Sequence, residues 1–221
     1  MKRTLVCMMF VALLAGCNSV SRGGNQVAGS GNRKSENRDV PEFNAVLLDG
    51  AYKVELTSGK ARRVEIEADD NLLPFIATEV ENGRLRIHNT QSYNTRSVPH
   101  VRISVPDLRE LSLSGASNLD LSGVKNDALK ISVQGASKLS ASGETGALDI
   151  NLSGASSIDA RELRAQRVVA VTNGAGSISV HALDALDATV NGVGTIDYYG
   201  DPKTVNPKVN GFGKINKKSP A

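Results

Sequence analysis

Six glycines recur at nearly constant intervals in the second half of the chain, and this repeat constrains the fold more than any other feature. The spacings are 20, 19, 20, 18 and 19 residues, and the glycines are Gly115, Gly135, Gly154, Gly174, Gly192 and Gly211. The flanking text also repeats, first as Ser/Gln-Gly-Ala-Ser and then as Asn-Gly-x-Gly. A repeat of this period predicts a fold in which each unit buries its apolar face only on its neighbours.

Alignment on these glycines gives apolar columns separated by polar positions. Four residues after each glycine stand Leu119, Leu139, Ile158, Ile178, Ile196 and Ile215. Such period-two alternation predicts half-buried strands, and the glycine between two strands marks a bend that needs positive φ or has no room for a Cβ. We therefore predict an all-β domain, a right-handed β-helix or β-solenoid with repeats of ~19–20 residues whose rungs stack ~4.8 Å apart.

The part of the domain before the repeats is also β-rich but less regular. Asn82-Gly83 is a strong hairpin signal, and the polar stretch 89–100 is expected to be a loop. We predict irregular, antiparallel strands over residues 43–105. The charged, Pro-bearing end at 216–220 is expected to cap the last rung.

The first residues have the pattern of an export signal. Lys2 and Arg3 precede an apolar run from Leu5 to Leu14 that is too short for a stable transmembrane helix. The run ends in Leu14, Ala15, Gly16 and Cys17, which resembles the lipobox of bacterial lipoproteins. We expect residues 1–16 to be a signal peptide and the Cys17 thiol to carry lipid. An ordinary secretory peptide with a chance cysteine is the alternative.

Lipidation at Cys17 would make the mature chain a membrane-anchored protein of the cell envelope. Asn18, rather than Asp, favours the outer membrane. Residues 17–37 are polar and poor in apolar side chains, so we expect the lipidated cysteine to be followed by a flexible tether. The globular domain is then expected to span residues 38–218.

Composition excludes several functions for the mature chain. Removing residues 1–16 leaves 24 basic against 23 acidic residues, which argues against nucleic acid as a partner. The only cysteines are Cys7 and Cys17, so the domain has no disulfide, and the absence of Trp weakens the case for sugar stacking on aromatic rings.

Few residues point to chemistry. Asp120, Asp159 and Asp197 alternate with serines five residues after the glycines, so they could form a calcium-binding column, although a solvated face explains them as well. His88, His100 and His181 lack metal-ligand spacing. Arg161, Arg164 and Arg167 could meet phosphate or acidic glycan, or simply lie on an exposed loop. We predict no cofactor, no metal site and no catalytic residues.

The order of several motifs resembles that of the putative auto-transporter adhesin head domain, often called the head GIN domain. The matching text runs from Arg38-Asp39-Val40 through Asp69-Asp70-Asn71-Leu72-Leu73-Pro74 and Glu81-Asn82-Gly83-Arg84-Leu85 to Val105-Pro106-Asp107-Leu108, followed by the Ser-Gly-Ala-Ser repeats. It covers about residues 38–216. The resemblance implies a β-helical fold and a lipoprotein or secreted context, and it supplies no catalytic motif.

From these features we expect a non-enzymatic envelope lipoprotein that presents a repetitive β-face to a glycan or protein partner, as an adhesin or binding module. The alternative is a periplasmic structural or envelope-stress component that contacts other envelope proteins. A polysaccharide-active β-helical enzyme is a further alternative, since Asp120 and Asp159 would lie two rungs, or ~10 Å, apart.

Overall fold

The computed structural model describes residues 26–219, and nearly all of its regular structure is β-strand. A single 3₁₀ turn lies at Leu73–Phe75. In chain order the strands are β1 Val27–Ala28, β2 Arg33–Asn37, β3 Ala45–Gly50, β4 Lys53–Ser58, β5 Arg63–Asp69, β6 Ile76–Glu81, β7 Arg84–Asn89, β8 Tyr93–Asn94, β9 His100–Val105, β10 Glu110–Gly115, β11 Asn118–Gly135, β12 Lys138–Gly154, β13 Ser157–Gly174, β14 Ser177–Gly192, β15 Thr195–Tyr199, β16 Thr204–Gly211 and β17 Lys214–Lys217.

The repeats stack as a β-solenoid, which confirms the predicted fold class. Each of the six glycines pairs in register with the glycine one rung away. Strand segments that end at these glycines form a parallel sheet, face A, from β7, β3 and β10 through the second halves of β11–β14 to β16. Segments that begin after the bend form face B, from β9 and β4 through the first parts of β11–β14 to β15 and β17.

The four long strands bend a second time near their middles. The register of β11 on β12 shifts between Leu121 and Val124, and that of β12 on β13 shifts between Ser140 and Ser142. Such bulges let a strand turn a corner without ending its pairing. The residues between the bulges and face A, around 123–127 and 143–146, form a third side of the solenoid.

The predicted apolar columns form the core. Leu139 and Ile196 are fully buried, and so is Ile150 on face A. Burial fails only at the last rung, where Val209 is 43% exposed and Ile215 is half-buried. No further rung covers these side chains, so their inward direction is not enough to remove them from water.

The solenoid begins earlier in the chain than the glycine repeat indicates. Gly50 pairs in register with Gly115, and the bend Gly50-Ala51-Tyr52 corresponds to Gly115-Ala116-Ser117. One rung further down, β7 pairs parallel with β3, and β9 pairs parallel with β4. The prediction of an antiparallel N-terminal part is therefore wrong for these strands. It holds for β6 on β7, β5 on β9 and β2 on β5, which cover the N-terminal end.

The predicted tether also differs from the structure. Arg33–Asn37 form β2 and pair antiparallel with β5, and Val27–Ala28 pair with β8 inside the predicted loop 89–100. Asn71 fixes this segment with its side-chain amide, since Oδ1 accepts from Ser30 N at 2.9 Å and Nδ2 donates to Ala28 O at 2.8 Å. Low hydrophobicity misled the prediction, because backbone pairing and amide contacts order these residues with little apolar burial.

The C-terminal end of the solenoid is a strand edge rather than a separate cap. Residues 214–217, partly assigned to the cap, form β17. Pro207 and Lys217 occupy inward-facing positions in the last rung, where they pair with Ala188 and Tyr198. Proline and inward-pointing charge are features that discourage further strand pairing.

Candidate functional site

The six repeat glycines shape the bend. Each has a φ between 107° and 140°, a region that non-glycine residues rarely adopt. A Cβ on Gly174 would also lie 2.6 Å from the carbonyl oxygen of Gly154 in the rung below. These glycines therefore hold the backbone of adjacent rungs together and do not offer a binding group.

A ladder of buried serines provides hydrogen-bond partners for the backbone groups at the bend. Ser137 Oγ accepts a hydrogen bond from Ser117 N at 3.0 Å and donates one to Gly115 O at 3.2 Å. Ser156 repeats both contacts with Ser137 N and Gly135 O. In the last three rungs the position is glycine, and a Cβ on Gly176 would lie 2.7 Å from Ser156 O and would also meet Leu152. Tighter packing at these bends explains the change from Gly-Ala-Ser to Gly-x-Gly.

The acidic column predicted on face B exists, but protein groups already occupy its carboxylates. Asp120, Ser140 and Asp159 lie in adjacent rungs, and Ser140 Oγ donates to Asp120. Asp197 accepts from Asn216 Nδ2 at 2.8 Å. Among residues 26–219, no group of three or more His, Cys, Asp or Glu side chains is arranged to hold a metal ion.

Asp159 is poorly suited to acid catalysis. Arg161 donates to both of its carboxylate oxygens, at 2.8 and 2.6 Å, and these hydrogen bonds hold the pKa of Asp159 below its ordinary value. The guanidinium also lies over the ring of Tyr199, 5.9 Å from its centroid. A general acid in glycoside cleavage needs a raised pKa, so Asp159 does not suit that role.

The structure separates the histidines and arginines that were considered for metal or anion binding. His88, His100 and His181 lie on β7, β9 and β14. The predicted arginine cluster divides, since Arg161 is bound to Asp159 while Arg164 and Arg167 point to a groove on the side of the solenoid.

Cys17 and the lipobox residues Leu14, Ala15 and Gly16 lie outside the described residues, as do the signal peptide and the first part of the tether. Within residues 26–219 the chain has no helix of the length and apolar character needed to cross a bilayer. The anchor therefore stays a prediction from sequence.

A groove runs along the solenoid axis where the third side meets face A. It consists of three shallow recesses of about 540, 350 and 310 Å³. The first and last recesses span the same rungs on either side of the corner. The 350 Å³ recess joins them at the β11 end, where it shares Lys125 and Asp127 with the first and Arg109 and Ala128 with the last. We call this feature the axial groove.

Side-chain length creates the axial groove. Its floor includes Ala128, Ala147 and Ala185 in one stacked column, interrupted by Arg167 in the β13 rung. One wall is the column Lys125, Glu144 and Arg164 on the third side. The other is the column Lys130, Asp149, Val169 and Asp187 on face A. Short side chains between two columns of long ones leave a channel.

On face A, Asp187 accepts a hydrogen bond from Asn206 Nδ2 at 2.7 Å. The wall on the third side alternates in sign, and its charged side chains are unpaired among residues 26–219. Lys125 is in register with Glu144, and Glu144 with Arg164, but within the described part of the chain none of the three makes an ion pair within 4.0 Å or a side-chain hydrogen bond. Elsewhere on the surface, comparable pairs do close, as for Arg84 and Glu110 at 2.8 Å. The axial groove therefore presents free donors and acceptors one rung apart.

The axial groove is not evident from any single column of the repeat. The signal was present seven residues before the glycines, where Ala128, Ala147 and Ala185 interrupt an otherwise polar outer surface. Only the corner between two faces turns such a column into a floor.

Comparisons with known proteins confirm the resemblance stated from the motifs. A family model described as putative auto-transporter adhesin, head GIN domain, matches residues 42–202. Among solved structures, a putative adhesin from Bacteroides fragilis is 24% identical with a TM-score of 0.71, and the match covers 87% of this chain and 100% of that one.

Two further solved structures have the same fold at lower similarity. A putative lipid binding protein from Parabacteroides distasonis is 22% identical with a TM-score of 0.58, and the match covers 88% of this chain and 100% of that one. A putative adhesin from Parabacteroides merdae is 24% identical with a TM-score of 0.56, and the match covers 87% of this chain and 99% of that one. No curated protein matches this chain.

Proposed function

This chain belongs to the family of putative auto-transporter adhesin head GIN domains, and on that premise we propose that it is a non-enzymatic binding module of the cell envelope. Its task is to present the repeated outer surface of a β-solenoid to a partner. The observation that carries the proposal is the axial groove, in which Lys125, Glu144 and Arg164 stand in successive rungs without an ion pair or a side-chain hydrogen bond to any of the described residues.

A repeated, rigid surface suits binding better than catalysis. Charged side chains of the column Lys125, Glu144 and Arg164 recur at ~4.8 Å intervals, so affinity can accumulate along an extended partner. The solved structures with this fold include proteins named as adhesins and one named as a lipid-binding protein. Asp120 and Asp159, the pair considered for the enzyme alternative, accept hydrogen bonds from Ser140 and Arg161.

We further propose that lipid on Cys17 anchors the protein, with the outer membrane as its location. Support comes from the signal-like run Leu5–Leu14 and the lipobox Leu14, Ala15, Gly16 and Cys17. Two or three acyl chains at ~0.8 kcal/mol per buried methylene give stable attachment. Because β1 and β2 lie at the N-terminal end of the solenoid, the anchor would hold the rod by that end.

Protease accessibility on intact cells tests the proposal. The protein carries an epitope tag, and a Cys17→Ser variant serves as the control for anchoring. Digestion of the wild-type protein without lysis, together with loss of the variant from the membrane fraction, supports an anchored surface adhesin. Protection until the outer membrane is opened contradicts surface adhesion, and a variant that stays in the membrane contradicts the lipid anchor.

One observation favours the alternative of an envelope component that contacts other proteins. Phe212 and Val193 are 91% and 59% exposed, and they directly follow Gly211 and Gly192, which are in register at the last bend. Exposed apolar clusters of this kind mark protein contacts. A pull-down from crosslinked membranes separates the two functions, since loss of specific envelope proteins with Phe212→Ser supports the alternative.

A further inference from the structure

We infer that the axial groove binds a zwitterionic polysaccharide, a glycan whose repeating unit carries both amino and carboxylate groups. This inference rests on the proposed binding function and names the ligand class. It starts from the direction of the groove, which crosses β11, β12 and β13 at right angles to the strands. A ligand that fills it must be extended along the solenoid axis.

Most of the backbone along the groove is engaged in the sheet. Residues such as Ala147 and Asp149 pair with a rung on either side, so their N–H and C=O groups are not available to a ligand. A peptide strand recognised by β-augmentation needs a free edge, and this part of the solenoid has none. Side chains alone must hold the ligand, which favours a chain rich in hydroxyl, amino and carboxylate substituents.

The alternation of charge selects among such polymers. Along the third-side wall the order is Lys125, Glu144, Arg164, so the sign repeats every two rungs, or ~10 Å. A polyanion or polycation would meet a like charge at every second rung, which costs affinity. A glycan with opposite charges on alternating positions meets the complementary group each time, and one disaccharide spans about two rungs.

The floor supplies the remaining contact. Ala128 and Ala147 are short side chains in adjacent rungs, and Arg167 follows them before Ala185. Val169 is 42% exposed within the same recess of about 310 Å³. Small apolar side chains can meet the C–H face of a sugar without an aromatic platform. The charged walls then decide which sugars are accepted.

Binding of defined polysaccharides to the full mature chain carrying Cys17→Ser tests the inference. The probes for isothermal titration are soluble uncross-linked peptidoglycan strands, a capsular polysaccharide with amino and carboxylate groups, polygalacturonate and dextran. We expect at least one zwitterionic probe to bind at least tenfold more tightly than polygalacturonate and dextran. The wall polymer and the capsular polymer distinguish a partner in the envelope from one on another cell. Equal affinity for all four probes, or preference for polygalacturonate, overturns the inference.

Charge reversal locates the site. Arg164 is exposed, so Arg164→Glu should leave the thermal transition unchanged and weaken zwitterionic binding at least tenfold. Lys138→Glu makes the same change of charge on exposed face B and should leave affinity unchanged. If both variants bind like the wild type, or if an alternating Glu-Lys peptide binds as tightly as the glycan with the same sensitivity to Arg164→Glu, the inference is wrong. Neither result affects the protease test of the proposed function.

Discussion

Removing one hydroxyl from the serine ladder tests whether these side chains provide the hydrogen-bond partners of the buried backbone groups at the bends. Ser137 and Ser117 are 4% and 1% exposed. In Ser137→Ala, the carbonyl of Gly115 keeps its hydrogen bond from Ala136 N at 3.0 Å, but Ser117 N loses the oxygen that accepts from it at 3.0 Å. The variant therefore leaves one buried N–H without its partner.

The size of the effect follows from that single donor. A buried polar group that loses its hydrogen bond costs about 1–3 kcal/mol, and water cannot replace Oγ at a bend enclosed by adjacent rungs. For a domain of this size, about 2 kcal/mol corresponds to a Tm lower by roughly 4–8 °C. Ser157→Ala is the matched control, because Ser157 is exposed and a surface change of this kind stays within about 0.5 kcal/mol.

Two measurements check the expectation. Thermal or urea unfolding gives the difference in stability between Ser137→Ala and Ser157→Ala, and native-state hydrogen exchange reports the amide of Ser117 directly. We expect faster exchange at Ser117 in the first variant only. Equal stability of the two variants, together with unchanged exchange at Ser117, would refute the argument that the ladder satisfies the bend.

Three other perturbations test separate parts of the structure. Gly174→Ala combines a φ of 134° with a Cβ 2.6 Å from Gly154 O. The free energy of unfolding in a urea titration should therefore fall by about 3 kcal/mol or more, and a decrease below about 1 kcal/mol contradicts the steric argument. Asn71→Ala removes the amide contacts to residues 28–30 and should expose residues 26–37 to limited proteolysis while the repeats stay resistant; an unchanged digestion pattern means that strand pairing alone holds the segment. Arg161→Ala should raise the pKa of Asp159 in an NMR titration, because the hydrogen bonds from Arg161 are the main cause of its lowering. The stability that this pair adds is present above the unfolded pKa of Asp, ~3.9, and is lost as the pH falls through the lower folded pKa. The free energy of unfolding of the wild type should therefore fall more in acid than that of the variant. Identical dependence of the two free energies on pH contradicts the assignment.

Much of the fold could be predicted from the sequence because its signals are local and periodic. The glycine interval and the apolar column from Leu119 to Ile215 report alternation within each strand, and a solenoid needs little more, since every rung packs on the next one along the chain. The rung at Gly50 was missed for the opposite reason. Residues 59–109 lie between β4 and β10, so Gly50 is 65 residues before its neighbour Gly115 and no fixed interval marks it.

The rung length, the inward columns, the bends and the motifs that resemble the head GIN family all follow from the order of the residues. The tertiary structure was needed to establish which outer columns lie beside one another at a corner, and therefore that Lys125, Glu144 and Arg164 form one wall beside the Ala128 column. It also decided that Asp159 is bound to Arg161 and that residues 33–37 pair as a strand. The physical reason is that period and polarity fix which side chains point outward, whereas corner geometry and competition among neighbouring groups fix what each of them meets there.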